Sequence, residues 1–185
     1  MDAARMAPSA KKRQPWKFIV LEGATKNEFT SAMCCVGLER EMKRITPLPK
    51  SGFGLPDAKN TLRIMEEAPV VIAVLNTNGK SPFLPMDNDA RISEICDSLS
   101  IGAAIQNMIL RAQELGLGTL WIANTCFAYE ELTACLGTEV QLVSAVALGY
   151  PDEAPGMRYR KKIGEILEFR GKREYKVVCR NYVFS

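Results

Sequence analysis

The stretch that most constrains the fold of this chain runs from Ser98 to Asn124, SLSIGAAIQNMILRAQELGLGTLWIAN. Its first part repeats apolar residues at spacings of three and four, which is the period of one helical face. These residues are Ile101, Ala104, Ile105, Met108, Ile109, Ala112 and Leu115. Gly116 predicts a left-handed helix end, and the β-branched and aromatic residues from Thr119 to Ile122 are typical of a short buried strand. The stretch therefore predicts a helix, a tight turn and a strand in the middle of the fold.

Three small residues, Gly102 to Ala104, make one turn of this helix almost free of side-chain bulk. A glycine inside a helix costs about 1 kcal/mol relative to alanine, so its presence indicates a packing reason. We expect another helix or a sheet to approach the backbone closely at this turn.

The composition narrows the class of protein. At 185 residues the chain is expected to form a single domain, residues 1–185. It contains no histidine, which excludes Ser-His-Asp and Cys-His nucleophiles and imidazole acid-base chemistry. Six cysteines show no CxxC pair and no metal-ligand spacing, so they are expected to be free thiols, and no metal is predicted. If the chain is an enzyme, we expect a cofactor to carry the reaction.

Charge and hydropathy bear on partners and location. The 24 basic and 21 acidic residues nearly cancel, which gives no reason to expect a nucleic acid. RNA binding through Lys11 to Arg13 and Arg158 to Lys162 is disfavoured for that reason, and because no aromatic-rich RNA-binding motif is present. No run approaches the roughly 18 apolar residues of a membrane helix, and the N-terminus lacks a signal-peptide core. We expect a cytoplasmic protein with no membrane partner.

The remaining pattern predicts alternating strands and helices. Strands are expected at Trp16–Leu21, Pro69–Leu75 and Gln141–Tyr150, and helices at Met1–Ala7, Lys26–Ile45, Ala58–Ala68 and Tyr129–Leu136. Thr25 is predicted to cap the N-terminus of the second helix, with Glu28 at the capping-box position.

Four irregular segments carry the candidate functional residues. The first, PSAKKRQP from Pro8 to Pro15, combines two prolines with three consecutive cations. It is either a solvated basic connector or a proline-stiffened loop that presents Ser9, backbone N–H groups and cations to an anion or a ring system.

Two further segments hold large apolar residues. The segment from Thr46 to Asp57 is either a mobile substrate cover around Phe53 or a plain surface turn. The segment from Asn76 to Asp89 exposes Phe83 and its neighbours as a pocket wall or as a subunit contact.

The fourth segment, PDEAPGMRYRKK at 151–162, ends in a cluster of cations that directly follows the last strand. Such a cluster is usually a solvated charge run, although the end of a strand is also a common place for a phosphate site. The usual nucleotide motifs are absent: GLGTLW at 116–121 lacks the third glycine of the dinucleotide fingerprint, and nothing matches GxxxxGK[ST].

Three segments together resemble the FMN-dependent nitroreductase family. They are APSAKKRQPWKFIV at 7–20, IGAAIQNMILRAQELGLGTLWI at 101–122 and ALGYPDEAPGMRYRKKIGEI at 147–166, in family order and at family spacing. The resemblance implies an α+β fold with a mainly antiparallel central sheet flanked by helices. It also implies an obligate homodimer in which the long central helices pack together, with two FMN sites at the subunit interface.

The resemblance also implies roles for individual residues. Pro8, Ser9, Ala10, Lys12 and Gln14 are similar to the family segment along the ribityl chain and pyrimidine edge of the flavin. The backbone of Trp121, Ile122, Ala123 and Asn124 resembles the segment that places an amide N–H near flavin N5. Arg160 and Lys161 resemble the C-terminal phosphate ligands, and Phe53 and Phe83 are candidates for the substrate wall.

The activity implied is that of an FMN-dependent NAD(P)H oxidoreductase acting by ping-pong hydride transfer. NAD(P)H reduces the flavin and leaves, and a nitroaromatic, a quinone or a similar electron-poor acceptor takes its place. No protein side chain is expected to be catalytic, since the flavin carries the chemistry.

Two departures from the family pattern leave an alternative open. The chain begins after the arginine-rich N-terminal arm that usually binds the FMN phosphate, and Lys12 stands where the family usually has asparagine. The alternative is a non-catalytic or weakly flavin-binding homologue. Under either interpretation, residues 169–185 are predicted to form a tail that could exchange between subunits.

Overall fold

The computed structural model describes residues 1–38, 55–154 and 156–170. Phe53, most of the predicted cover segment and most of the predicted exchanging tail lie outside these residues. The chain divides into two compact units, Met1–Asp152 and Glu153–Ser185. Whether it is one domain stays a prediction.

The first unit is a four-stranded antiparallel sheet with helices on both faces. The strands are β1 (Trp16–Glu22), β2 (Val70–Asn76), β3 (Gly118–Ile122) and β4 (Gln141–Gly149), in the order β1-β2-β4-β3. The helices are α1 (Asp2–Arg5), α2 (Gly23–Ala32), α3 (Leu55–Glu67), α4 (Asn88–Glu114) and α5 (Tyr129–Cys135). Short 3-10 helices cover Ala10–Lys12 and Asn124–Ala128, and a π-helical turn covers Met33–Leu38. The predicted α+β fold with a mainly antiparallel sheet is confirmed.

The period-two alternation of β2 divides the core into two layers. Ile72 and Val74 face α1 and α4, whose buried residues include Ala4, Ile101, Ile105 and Met108. Val71, Ala73 and Leu75 face the opposite layer, which α2, α3 and α5 build with Phe29, Met65 and Leu132. Because β2 and β4 are buried on both faces, they form the apolar centre of the sheet, and β1 and β3 form its edges.

The central helix is longer than the apolar pattern predicts. It begins at Asn88 rather than near Ser98, and the carboxylate of Asp87 accepts the N–H of Ala90 at 2.8 Å as its N-cap. The predicted irregular segment, Asn76–Asp89, agrees closely with the structure, because β2 ends at Asn76 and α4 begins at Asn88. Polar residues of the first turns, including the buried Asp97, interrupt the apolar period. A pattern based on hydropathy therefore does not detect this part of the helix.

The predicted N-cap of α2 is wrong. Thr25 does not cap this helix, because α2 begins at Gly23 directly after β1, and the Thr25 hydroxyl donates to the carbonyl of Glu22 at 2.9 Å. Gly23 has a φ of +54°, a left-handed value that glycine adopts without steric cost and that turns the strand straight into the helix. The α-helix ends at Ala32, and the predicted continuation beyond residue 38 lies outside the described residues.

The second unit contains one short helix, α6 (Ile163–Ile166), among its described residues. Its N-terminus is closed by the Glu165 carboxylate, which accepts the N–H of Lys162 at 2.7 Å. In the described parts of both units, no helix combines the length and the apolar character needed to cross a membrane.

Candidate functional site

The segment Ser9–Gln14, called the left-handed loop below, has an unusual backbone. Lys11, Lys12 and Gln14 have φ values of +53°, +57° and +46°, and none of them is glycine. Residues with a Cβ pay of order 1 kcal/mol each for this conformation, and such strain persists only where the surroundings impose it. Contacts outside these three residues must therefore hold the loop.

One set of contacts is local to the loop. The Ser9 hydroxyl accepts the N–H of Gln14 at 3.1 Å, and the Ser9 carbonyl accepts the N–H of Lys12 at 3.1 Å. After the loop, the carbonyl of Pro15 accepts both the N–H and the hydroxyl of Thr77, at 2.8 and 3.1 Å. These bonds join the loop to the end of β2, beside the start of β1.

A second set of contacts comes from α4. The Ser100 hydroxyl accepts the N–H of Ala10 at 3.1 Å and donates to the carbonyl of Cys96 at 2.7 Å. The Arg13 guanidinium lies 2.8 Å from the carboxylate of Asp97, which is only 2% exposed. The sequence indicated Arg13 only as one of three consecutive cations, and it did not point to Asp97 or Ser100. The available signal was two polar residues that interrupt the apolar face of a helix.

A cleft of about 660 Å³ lies between α4 and the segment that follows β2. Two residues of its lining, Asn76 of β2 and Glu94 of α4, are linked through Gln141 of β4: Asn76 donates to Gln141 at 3.0 Å, and Gln141 donates to Glu94 at 2.6 Å. Arg13 and Asp97 also line the cleft. The left-handed loop and the cleft thus share one ion pair.

Phe83 packs away from the residues that line this cleft. Its ring meets that of Tyr129 edge to face, with the ring centres 5.5 Å apart, while the neighbouring Leu84 and Met86 line the cleft. Burial raises the pKa of the Tyr129 phenol, whose oxygen accepts the N–H of Leu142 at 3.3 Å. The assignment of Phe83 to a substrate wall stays a prediction, and Phe53 lies outside the described residues.

The segment Trp121–Asn124 lies at the edge of the sheet. β3 pairs only with β4 among the described strands, so one row of its backbone N–H and C=O groups faces away from the sheet. Trp121 is 43% exposed, and its ring lies 3.7 Å from where a Cβ of Gly102 would be. A Cβ at this position would make only an ordinary van der Waals contact with the ring, so the contact of Trp121 with α4 does not require a glycine. The predicted close approach at Gly102 stays a prediction.

Asn124 joins the end of β3 to α3. Its side-chain amide donates to Asp57 and to Thr61, each at 3.1 Å. The Oδ1 oxygen of the same side chain is buried and has no hydrogen-bond partner among the described residues. Such an acceptor is costly to leave unsatisfied, which marks this strand end as a place where a donor would be stabilised.

Arg160 and Lys161 belong to the second unit. Arg160 donates to the carbonyl of Tyr159 at 3.0 Å, and α6 begins two residues after Lys161. Ser9, Ala10, Lys12 and Gln14 lie together in the left-handed loop, which contacts α4. Trp121 also contacts α4, near Gly102. The roles of all these residues stay predictions.

The fold and the sequence were compared with known proteins. A sequence profile described as "Nitroreductase family" matches residues 1–150. A protein of Archaeoglobus fulgidus named "Putative NADH dehydrogenase/NAD(P)H nitroreductase" is 29% identical over 160 residues, covering 83% of this chain and 71% of that protein.

Two crystal structures have a similar fold. One is a BluB-like flavoprotein from Clostridium difficile, with a TM-score of 0.68, 27% identity, and coverage of 92% of this chain and 86% of that one. The other is the FMN-dependent nitroreductase NfnB from Mycobacterium smegmatis in complex with NADPH, with a TM-score of 0.65, 17% identity, and coverage of 92% and 85%. The profile covers most of the chain, and its match agrees with the antiparallel sheet and the long helix α4. The chain belongs to the nitroreductase family.

Proposed function

We propose that this protein is an FMN-dependent NAD(P)H oxidoreductase that reduces nitroaromatics, quinones or similar electron-poor acceptors. The observation that carries the proposal is the left-handed loop. It contains three strained, exposed polar residues, while α4 holds Ala10 and Arg13 of the same loop and Thr77, directly after β2, holds the adjoining Pro15. Strain of this kind is concentrated at binding and catalytic sites.

The residues of the first unit fit a flavin. The left-handed loop offers hydroxyl, amide and cationic groups, which suit a polyhydroxylated chain that ends in phosphate. The outward backbone row of β3 offers hydrogen bonds to a heteroaromatic edge. Pro8, Ser9, Ala10, Lys12 and Gln14 would hold the ribityl chain and pyrimidine edge, and Trp121–Asn124 the region near N5. For Arg160 and Lys161, in the second unit, the proposed role is phosphate binding, and it rests on the family resemblance alone.

Bound FMN would supply the hydride chemistry, first as acceptor from NAD(P)H and then as donor to the second substrate, in a ping-pong sequence. The protein's own contribution is to bind and orient. The rigid loop lowers the entropy cost of binding, and the edge strand directs backbone groups toward the ring.

We propose a homodimer formed through the outward face of α4. This face exposes large apolar side chains along its length, namely Ile92, Ile95, Leu99 and Leu110. The turn near its middle carries only Gly102 and Ala103, which would let two copies of the helix cross closely. A self-complementary stripe with small residues at its centre suits a second copy of the same chain.

The dimer is tested by Leu99→Glu, which places one carboxylate from each copy inside the proposed interface. Sedimentation is expected to show a dimer for the parent and a monomer for this variant. Asn27→Glu adds the same charge at an exposed position of α2, in the opposite core layer, and is expected to stay dimeric. A parent that sediments as a monomer would contradict the dimer.

The cytoplasm is the proposed location. Cys96 and Cys135 are free thiols, as expected in a reducing compartment.

The activity is tested by the visible spectrum of protein incubated with FMN and desalted, before and after anaerobic addition of NADPH or NADH. Retained flavin bands that bleach with either nucleotide are expected. Riboflavin, which lacks the phosphate, is the matched control ligand and is expected to be lost on desalting.

The alternative is a homologue that binds flavin weakly or without catalysis. Flavin that is retained but not bleached would favour a non-catalytic flavin protein. No retained flavin would contradict the proposed oxidoreductase.

A further inference from the structure

We propose that Arg13, Asp97 and Ser100 are positioning residues that hold the left-handed loop in its binding conformation. The inference rests on the proposed function, since it assigns these residues to the flavin-binding loop. It assigns the Arg13 cation to shaping that loop rather than to contacting the phosphate.

The two contacts from α4 flank Lys11 and Lys12, two of the strained residues of the loop, along the chain. Ser100 holds the N–H of Ala10, and Asp97 holds the side chain of Arg13. Lys11 and Lys12, both left-handed, lie between these two points. Because Asp97 and Ser100 are separated by less than one turn of a rigid helix, the spacing of the two loop ends is imposed by α4.

Asp97 is buried much more deeply than a carboxylate in a surface ion pair. Its side chain is 2% exposed, whereas that of Arg13 is 31% exposed. A buried carboxylate is costly unless it is paired and hydrogen-bonded. Oδ1 of Asp97 lies 2.8 Å from Arg13 as an ion pair, without a hydrogen-bond partner among the described residues, and Oδ2 accepts the Asn78 side-chain amide at 3.3 Å. The charge of Arg13 is therefore what offsets the burial of this carboxylate.

α4 engages one terminal nitrogen of Arg13. The nitrogen that lies near Asp97 also donates to the carbonyl of Ser93 at 3.3 Å. These two contacts orient this nitrogen toward the helix. The charge of Arg13 is partly neutralised by Asp97, which makes Arg13 a weaker anion ligand than an arginine without a carboxylate partner.

Ser100 completes the arrangement from within the helix. It is 6% exposed, and its hydroxyl uses its proton on the carbonyl of Cys96. The oxygen is therefore oriented to accept, and it receives the N–H of Ala10. Alanine at this position would leave that N–H without its present acceptor.

The experiment compares four variants: Arg13→Met, Asp97→Asn, Ser100→Ala and, as control, Arg111→Met. The control removes the same charge from an exposed ion pair within α4, in which Arg111 lies 2.6 Å from Glu114. Two quantities are measured: the dissociation constant for FMN by fluorescence, and the hydrogen exchange of the Ala10, Lys12 and Gln14 amides without FMN.

We expect the three loop variants to raise the FMN dissociation constant about tenfold, because a loop that is competent only a tenth of the time weakens binding by that factor. Exchange of the Lys12 and Gln14 amides is expected to speed up by a similar factor. The double variant Arg13→Met/Asp97→Asn should lose no more than the larger single effect, since both remove one interaction. Arg111→Met should change neither quantity beyond about twofold.

Unchanged exchange in Arg13→Met together with weaker FMN binding would overturn the proposal, because Arg13 would then act on the ligand directly. Unchanged exchange and unchanged binding would overturn it as well. If the parent binds no FMN, the proposed function fails, and exchange in the protein alone still decides this inference. Arg13→Met alters a partly exposed side chain, so it remains informative even if Asp97→Asn does not fold.

Discussion

The left-handed loop and the basic cluster Arg158–Lys162 look alike in sequence and differ in structure. Each contains several cations next to a proline-containing segment and an apolar strand. In the loop, the backbone is strained and held by α4 and by the end of β2. In the cluster, the described contacts of Arg160 and Lys162 are local, to Tyr159 and Glu165.

The difference shows that the number of cations does not distinguish a loop held in one conformation by distant contacts from a cluster with local contacts only. Preorganisation distinguishes them, because a segment already held in one conformation loses less entropy when it binds. Within its own unit, the cluster can contribute charge. The loop can contribute charge and shape.

The largest effect is expected from the double variant Arg160→Ala/Lys161→Ala. If both hold the phosphate, FMN affinity falls about a hundredfold, since a hydrogen bond to a charged group contributes about 1.5–3 kcal/mol. Fluorescence titration with FMN measures this. Arg158→Ala/Lys162→Ala removes the same charge from the same cluster and should change the affinity much less. Equal losses in both double variants would show that the cluster acts only through its net charge.

A smaller effect is expected from Lys12→Ala. We expect FMN to bind about tenfold more weakly, because one charge-assisted hydrogen bond is lost, and the salt dependence of binding should decrease. The matched control is Lys11→Ala, which removes an adjacent cation in the same backbone conformation. A parent-like affinity in Lys12→Ala would contradict a role for this lysine in binding FMN.

Ser9→Ala tests the local closure of the loop. It removes the acceptor of the Gln14 N–H, and we expect the free energy of unfolding in urea to fall by about 1 kcal/mol. Ser98→Ala, a change of the same type within α4, is expected to alter it by less than about 0.5 kcal/mol. A Ser9→Ala protein as stable as the parent would show that the Ser9 hydroxyl does not help to hold the loop.

The smallest change in the free energy of unfolding is expected when Lys11, a left-handed residue, is replaced by glycine. Lys11→Gly should leave the free energy of unfolding within about 0.5 kcal/mol of the parent, because relief of a left-handed residue offsets the added freedom of the unfolded chain. Lys17→Gly, at an exposed position in β1, should cost about 1 kcal/mol. Equal losses at both lysines in urea denaturation would show that Lys11 carries no strain.

Sequence patterns located the regular elements where packing is apolar. β1, β2 and β4 were predicted within one or two residues, because each is a run of apolar residues bounded by turn formers. The start of α4 was missed because its first turns pack polar residues against the loop and the cleft. The cap of α2 was wrong because Gly23 lets the strand enter the helix without an intervening loop.

The candidate site was predictable only in part. Ser9, Ala10, Lys12 and Gln14 could be selected because they stand in a motif. Asp97 and Ser100 lie far from that motif in sequence and become relevant only where α4 passes the loop. Phe83 was selected as an apolar residue in a loop, and its contact with Tyr129 depends on the packing of α5.

The sequence by itself determined the class of fold, the family and the absence of histidine chemistry, because periodicity, motifs and composition are properties of the linear chain. The tertiary structure decided which polar groups meet: a carboxylate and a hydroxyl of one helix with an arginine and an amide of a distant loop. Such pairings depend on burial and on distances across the fold, and neither is encoded in the spacing of residues along the chain.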